Sequence, residues 1–168
     1  MLAIEFLSTH LQKSFLVANS LFQDGNLVES QRLLAEINAK HPDHPDVMHL
    51  RTVVALKIGN NKEAAIFVKT ALAVRPDESK LLSLLAIVLE RQGDLEGAIE
   101  ALKKVVAQNP DNPEALTDLG TILIQEERFS EAESAFRKAL ALHPQNPLIL
   151  NKLGNVLSKR DRREEAIG

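Results

Sequence analysis

Three groups of residues in this 168-residue chain have types and spacing that could do chemistry. The first is His41-Pro42-Asp43-His44-Pro45-Asp46-Val47-Met48-His49, where three imidazoles and two carboxylates crowd together. Imidazole and carboxylate suit borderline-to-hard cations, so such a run could hold a divalent metal. The second comprises the adjacent carboxylates Glu126-Glu127 and Glu164-Glu165. General acid–base work by such a pair needs a cleft that perturbs its pKa values. The third is Lys159, Arg160, Arg162 and Arg163, the one basic spot that could draw a nucleic acid.

Each group has a plainer reading. The histidine run coincides with a turn written elsewhere as Asn109-Pro110-Asp111-Asn112-Pro113 and His143-Pro144-Gln145-Asn146-Pro147. It therefore reads as a polar turn that contains histidines. The glutamate pairs fall on solvated helix ends, and the basic run reads as a solvated turn balanced by Asp161, Glu164 and Glu165. No P-loop, G-x-G-x-x-G, G-x-S-x-G or H-E-x-x-H motif occurs, so no enzyme, cofactor site or metal site is expected. A net charge of −3 argues against general nucleic-acid binding. The absence of cysteine excludes disulfides, zinc–thiolate sites and thiol catalysis. No apolar run approaches the ~20 residues that span a bilayer. Residues 1–7 lack a basic leader and carry Glu5, so a cytoplasmic setting without membrane insertion is expected.

The elements that hold these residues are set by a ruler. Pro42, Pro76, Pro110 and Pro144 are spaced 34 residues apart, and Pro45, Pro113 and Pro147 each follow that phase by three. Proline costs about 3 kcal/mol inside a helix and is tolerated in its first turn, so these are helix boundaries. Gly25, Gly59 and Gly93 keep the same period, each placed to end a helix with a left-handed residue. Between such marks the apolar residues follow helical spacing twice, as in Leu82, Leu85, Ala86, Leu89 and then Ala98, Leu102, Val105. Each period is thus a helical hairpin, and a fixed period of this length implies stacked repeats.

The fourth period carries Leu116, Leu119, Gly120, Leu123, Ala132, Phe136 and Pro144. That pattern resembles the tetratricopeptide repeat, and the fifth period keeps Leu150, Leu153, Gly154, Leu157 and Ala166. The resemblance implies an all-α, right-handed solenoid of antiparallel helix hairpins, the tetratricopeptide superhelix. Its units are residues 11–44, 45–78, 79–112 and 113–146, with a partial unit at 147–168. Residues 1–10 form an apolar segment or helix extension outside the array, with Thr9 and Gln12 as a capping box.

Departures from the family pattern carry expectations of their own. Arg51 and Thr52 replace Leu-Gly between paired helices, leaving Arg51 to snorkel, to pair with a carboxylate, or to loosen the site. Ser14 and Ser30 mark the first unit as the weaker one or as a terminal cap. The chain stops one turn into its last helix, which leaves Leu150, Leu153 and Val156 poorly covered. The native protein is accordingly expected to continue past Gly168.

The resemblance further implies that the first helix of each unit lines a concave groove. Carried onto this sequence, the groove places are Phe15, Asn19 and Phe22, then His49, Leu50, Val53 and Leu56, then Lys80, Leu84, Ile87 and Arg91. Beyond these come Asp118, Thr121 and Gln125, and finally Lys152 and Asn155. The groove so defined is apolar over three units and polar after them. Three occupants stay open: a partly apolar protein or peptide segment, the chain's own residues 2–7 in cis or from a second copy, or ordinary packing between units. Chaperone-binding relatives clamp a carboxylate with Lys, Asn and Arg where this chain has Phe15, Asn19, Leu50, Lys80 and Leu84, so that chemistry is not implied. The asparagine ladder of sugar-transferring enzymes is replaced by Leu16, Leu50, Leu84, Asp118 and Lys152. The expected function is a non-catalytic scaffold or adaptor. The alternatives are the targeting region of a larger glycosyl- or sulfotransferase-like enzyme, or a scaffold that self-assembles into homo-oligomers through repeat ends or its N-terminal segment.

Overall fold

The computed structural model describes the backbone of residues 9–167 and the side chains of residues 10–161. The 1–10 segment of the sequence reading, up to Thr9, lies outside the described side chains. Nine helices and no strand occur among the described residues: α1 Thr9–Gln23, α2 Leu27–Lys40, α3 Pro45–Lys57, α4 Asn61–Val74, α5 Ser79–Gln92, α6 Leu95–Gln108, α7 Pro113–Gln125, α8 Phe129–Leu142 and α9 Pro147–Ile167. None is long and apolar enough to cross a membrane. The chain divides within α5, between Val88 and Leu89, into two compact units.

Pro45, Pro113 and Pro147 open α3, α7 and α9, where a missing N–H costs nothing. Polar side chains close many of the helix starts. Asn60 accepts from the Glu63 N–H at 3.2 Å, Asp94 from Gly97 at 3.0 Å, and Asn112 from Ala115 at 3.0 Å. Gly25, Gly59 and Gly93 take φ near +80°, and Glu127 occupies the same phase at φ 55°. A non-glycine left-handed residue costs about 1–2 kcal/mol, so α8 packed back on α7 must hold Glu127 there.

In the first unit, α1 packs on α2, α2 on α3, and α3 on α4. Their core joins Phe15, Leu34, Ile37, Met48, Leu50 and Val54. Ser30, fully buried, donates to the Ala18 carbonyl at 2.8 Å and so fastens α2 to α1. The serine expected to weaken this hairpin is therefore satisfied. Thr52 is equally buried and bonds the Met48 carbonyl of its own helix at 2.8 Å. Arg51 lies 3.9 Å from the centre of the Phe67 ring. Burial lowers its pKa, opposed by the Glu63 charge, and the guanidinium makes a cation–π contact that was not among the three expected outcomes of snorkelling, carboxylate pairing or loosening.

In the second unit, α6 packs on α7, α7 on α8 and α8 on α9. Gly120 faces Phe136, whose ring would lie 2.8 Å from a Cβ at that position. Arg128, at the start of α8, binds Glu131 at 2.7 Å and reaches Glu96 of α6 at 2.9 Å.

The fifth period differs from its expectation. Helix α9 runs unbroken through Asp161, so the basic run at 159–163 lies on a helix and not in a turn. Asp161 occupies the phase that Gly25, Gly59, Gly93 and Glu127 fill with left-handed residues. Val156 is fully buried against the reading of it as poorly covered, because α9 docks on α8 through its Ile149 and Val156 face. Leu150 stays 46% exposed, and the space beside Gly154 is open.

Candidate partner-binding faces

The sixteen sequence-selected residues separate by burial. Phe15, Leu50 and Leu56 are 1%, 5% and 7% exposed and belong to hydrophobic cores of the first unit. These three are corrected from groove to core, since a side chain that fills a core has no surface to offer. Helical spacing marks an apolar stripe without separating the residues that meet a neighbouring helix from those beside them. In the first unit Asn19, Phe22, His49, Val53 and Leu84 are half-buried, while Lys80 and Ile87 are exposed. Leu16 and Val17 of α1 are more open still, at 58% and 52%. Val17 had no place in the family's groove register, and only its surroundings in the fold reveal it.

The histidine run has a structural setting. Asp46 is buried, and its Oδ1 accepts from the Arg75 guanidinium at 3.0 Å while Arg75 also holds Glu78 at 3.2 Å. The pair ties the start of α3 to the end of α4. His44 Nδ1 stands 4.0 Å from the other Asp46 oxygen, beyond hydrogen-bond reach. Burial lowers the pKa of His44, opposed by Asp46 and reinforced by Arg75 and His41. Burial likewise lowers His49, opposed by Glu78 and Asp46 and reinforced by Lys80. Among the described residues no group of three or more His, Asp or Glu side chains is arranged to hold a metal.

In the second unit Arg91, Asp118, Gln125 and Asn155 are exposed and Thr121 and Lys152 half-buried. Several of them join in one polar set. The Gln125 amide donates to Glu90 Oε1 at 2.6 Å, and Lys152 Nζ to the Thr121 hydroxyl at 3.0 Å. Thr121 in turn donates to the Thr117 carbonyl at 2.7 Å. Though Asp118 is exposed as a residue, partial desolvation of its carboxyl raises its pKa; Glu90 and Glu114 raise it further, and Lys152 opposes them. Beside Asp118 opens a cleft of about 330 Å³ lined by Pro113, Glu114, Thr117 and Asp118 of α7, and by His143, Asn146, Leu148 and Ile149. Thr117, His143, Asn146, Leu148 and Ile149 are not among the residues selected from the sequence.

A second charged feature lies on α8 and α9. Glu133 is buried, held by Arg137 and by Arg160 at 2.5 Å. This fixes one member of the basic run as a structural ion pair.

Comparisons agree with this architecture. No curated protein matches the sequence. Three overlapping stretches, residues 54–113, 83–147 and 117–168, match the family model described as tetratricopeptide repeat. The fold is similar to that of a crystal structure of MamA protein, with TM-score 0.82 and 16% identity over 94% of this chain and 86% of that one. MamA from Desulfovibrio magneticus gives 0.85 and 20% over 95% and 90%. A tetratricopeptide repeat protein from Parabacteroides merdae gives 0.84 and 20% over 94% and 63%. With its proline-opened hairpins, its glycine-ended first helices and a family model matched over most of its length, the chain belongs to the tetratricopeptide repeat family.

Proposed function

We propose that this protein is a non-catalytic scaffold that captures a protein segment on the first helices of its repeats. The observation that carries the reading is the uncovered apolar surface of the first unit. Leu16, Val17 and Ile87 stand open at 58%, 52% and 36%, with Phe22, Val53 and Leu84 half-buried. Large apolar side chains left this open are surface that a partner can cover, and an amphipathic segment is the simplest cover. The polar set around Thr121 and Lys152 supplies hydrogen-bonding selection on the second unit. The charged groups support the same reading, because Asp46 and Glu133 are engaged by arginines as structural pairs.

The test compares partner capture by the wild-type chain with the Leu16→Glu/Ile87→Glu variant, using cross-linking and circular dichroism to verify folding. Both residues are exposed, so the charges are tolerated in the free protein. Loss of the cross-linked partner from the folded variant supports capture on these helices. Undiminished capture removes the assignment.

A further inference from the structure

We infer that the cleft at the start of α7 seats a lysine or arginine side chain of a bound protein segment between Glu114 and Asp118, with an apolar neighbour of that cation resting on Leu148. The inference rests on the capture reading above and names the chemistry of the occupant.

The cleft's volume of about 330 Å³ stands at the low end of the ~300–1,000 Å³ typical of small-molecule sites, which suits one long side chain. Glu114 and Asp118 are four residues apart on α7, so their carboxylates project from one face toward the same space. Both are exposed, and neither forms an ion pair among the described residues. Like charges in this relation repel each other. The nearest cation acting on Asp118 is Lys152, whose ammonium is directed to the Thr121 hydroxyl at 3.0 Å. Glu90 adds a third negative charge to the same neighbourhood. A partner cation would therefore meet a negative field that Lys152 offsets only in part, in a recess large enough to admit it.

The lip of the recess fixes the second half of the inference. Leu148 is 58% exposed although it lines the cleft. An aliphatic stem or an adjoining apolar residue laid on it removes that surface from water, as lysine and arginine stems do wherever they cross apolar ground. The same field works against acidic segments, so the cleft discriminates by repulsion as well as by attraction.

The experiment uses the full chain, labelled with ¹⁵N, and three blocked hexapeptide probes. One has the sequence Gly-Leu-Lys-Leu-Lys-Gly, one replaces its lysines by glutamate, and one replaces them by norleucine. The lysine probe is expected to bind, to shift the amides of Thr117, Asp118 and Leu148, and to weaken about tenfold in the Glu114→Gln/Asp118→Asn variant. The substitutions are isosteric and exposed, and circular dichroism verifies that the variant folds. Equal binding of the norleucine probe, or tighter binding of the glutamate probe, overturns cation selection while leaving capture intact. Spermidine binding as tightly as the lysine probe also overturns it, since a recognised segment must exceed a free counterion. If no probe shifts an amide of α7 or α9, the inference fails; if the Leu16→Glu/Ile87→Glu variant also retains its partner, the capture reading fails with it.

Discussion

The ring of Phe136 in α8 lies over Gly120 in α7 so closely that a Cβ on the glycine would stand 2.8 Å from it. The contact fixes the separation of the two helices. Glycine is disfavoured in a helix by about 1 kcal/mol relative to alanine, while overpacking a core costs about 1–3 kcal/mol. Phe136 is fully buried and its ring is stiff, so the second term wins. Gly120→Ala is expected to destabilise the protein by about 1 kcal/mol in urea unfolding followed by circular dichroism. Introduced into Phe136→Leu, the same change should be neutral or stabilising. A Gly120→Ala chain as stable as wild type would mean the ring can move aside.

Asp46 and Arg75 form the joint between the start of α3 and the end of α4. Breaking a buried ion pair by removing one partner costs about 3–5 kcal/mol, but Arg75 is one-third exposed and keeps Glu78. The discounted expectation for Asp46→Ala is about 1–2 kcal/mol. Asp46→Asn should lose less, since its side-chain oxygen can still accept from the guanidinium. The unfolding midpoints of the two variants give the comparison directly, and equal losses would remove the charge from the account.

Acidification should weaken the fold through His44 and His49. Burial lowers both imidazole pKa values below the ordinary 6.5. As pH falls through 6.5 the unfolded chain therefore takes up protons that the folded chain does not, and stability declines until pH lies below the folded values. Urea midpoints measured from pH 7.5 to 5 should fall over that window. The His44→Gln/His49→Gln variant should show a flatter profile, and an unchanged slope would assign the effect to other groups.

Arg51 and Phe67 should be energetically coupled. A cation stacked on an aromatic face contributes about 0.5–1 kcal/mol when exposed and more as water is excluded. A double-mutant cycle with Arg51→Met and Phe67→Leu should return a coupling of about 1 kcal/mol. Additive single effects would reduce the stacking to coincidence.

Helix ends were the part of this fold most legible in the sequence. Proline can stand only in a first turn and glycine most cheaply after a last one, so Pro45, Pro113 and Gly93 declare their own surroundings. Glu127 hides the same turn, because nothing in a glutamate announces φ 55°. Asp161 shows the converse, a turn phase at which the helix simply continues. The candidate faces were less legible. Leu50 and Ile87 look alike in a periodic pattern, yet one is core and the other surface. What separates them is the position of a neighbouring helix, which is a tertiary fact. Arg51 is anomalous in the repeat pattern, but its partner Phe67 lies sixteen residues away on the next helix and no local rule selects it.

From α1 to α4 in one compact unit and from α6 to α9 in the other, each helix rests chiefly on the helices next to it in the chain. Such topology keeps loop-closure entropy low, because few contacts have to wait for distant segments to find each other. Folding can begin in any hairpin and spread to its neighbour, so the Ser30–Ala18 and Gly120–Phe136 hairpins are independent starting points for two separate zippers. Hydrogen exchange would then report ladders of local opening, with the amides around each hairpin seam the last to exchange.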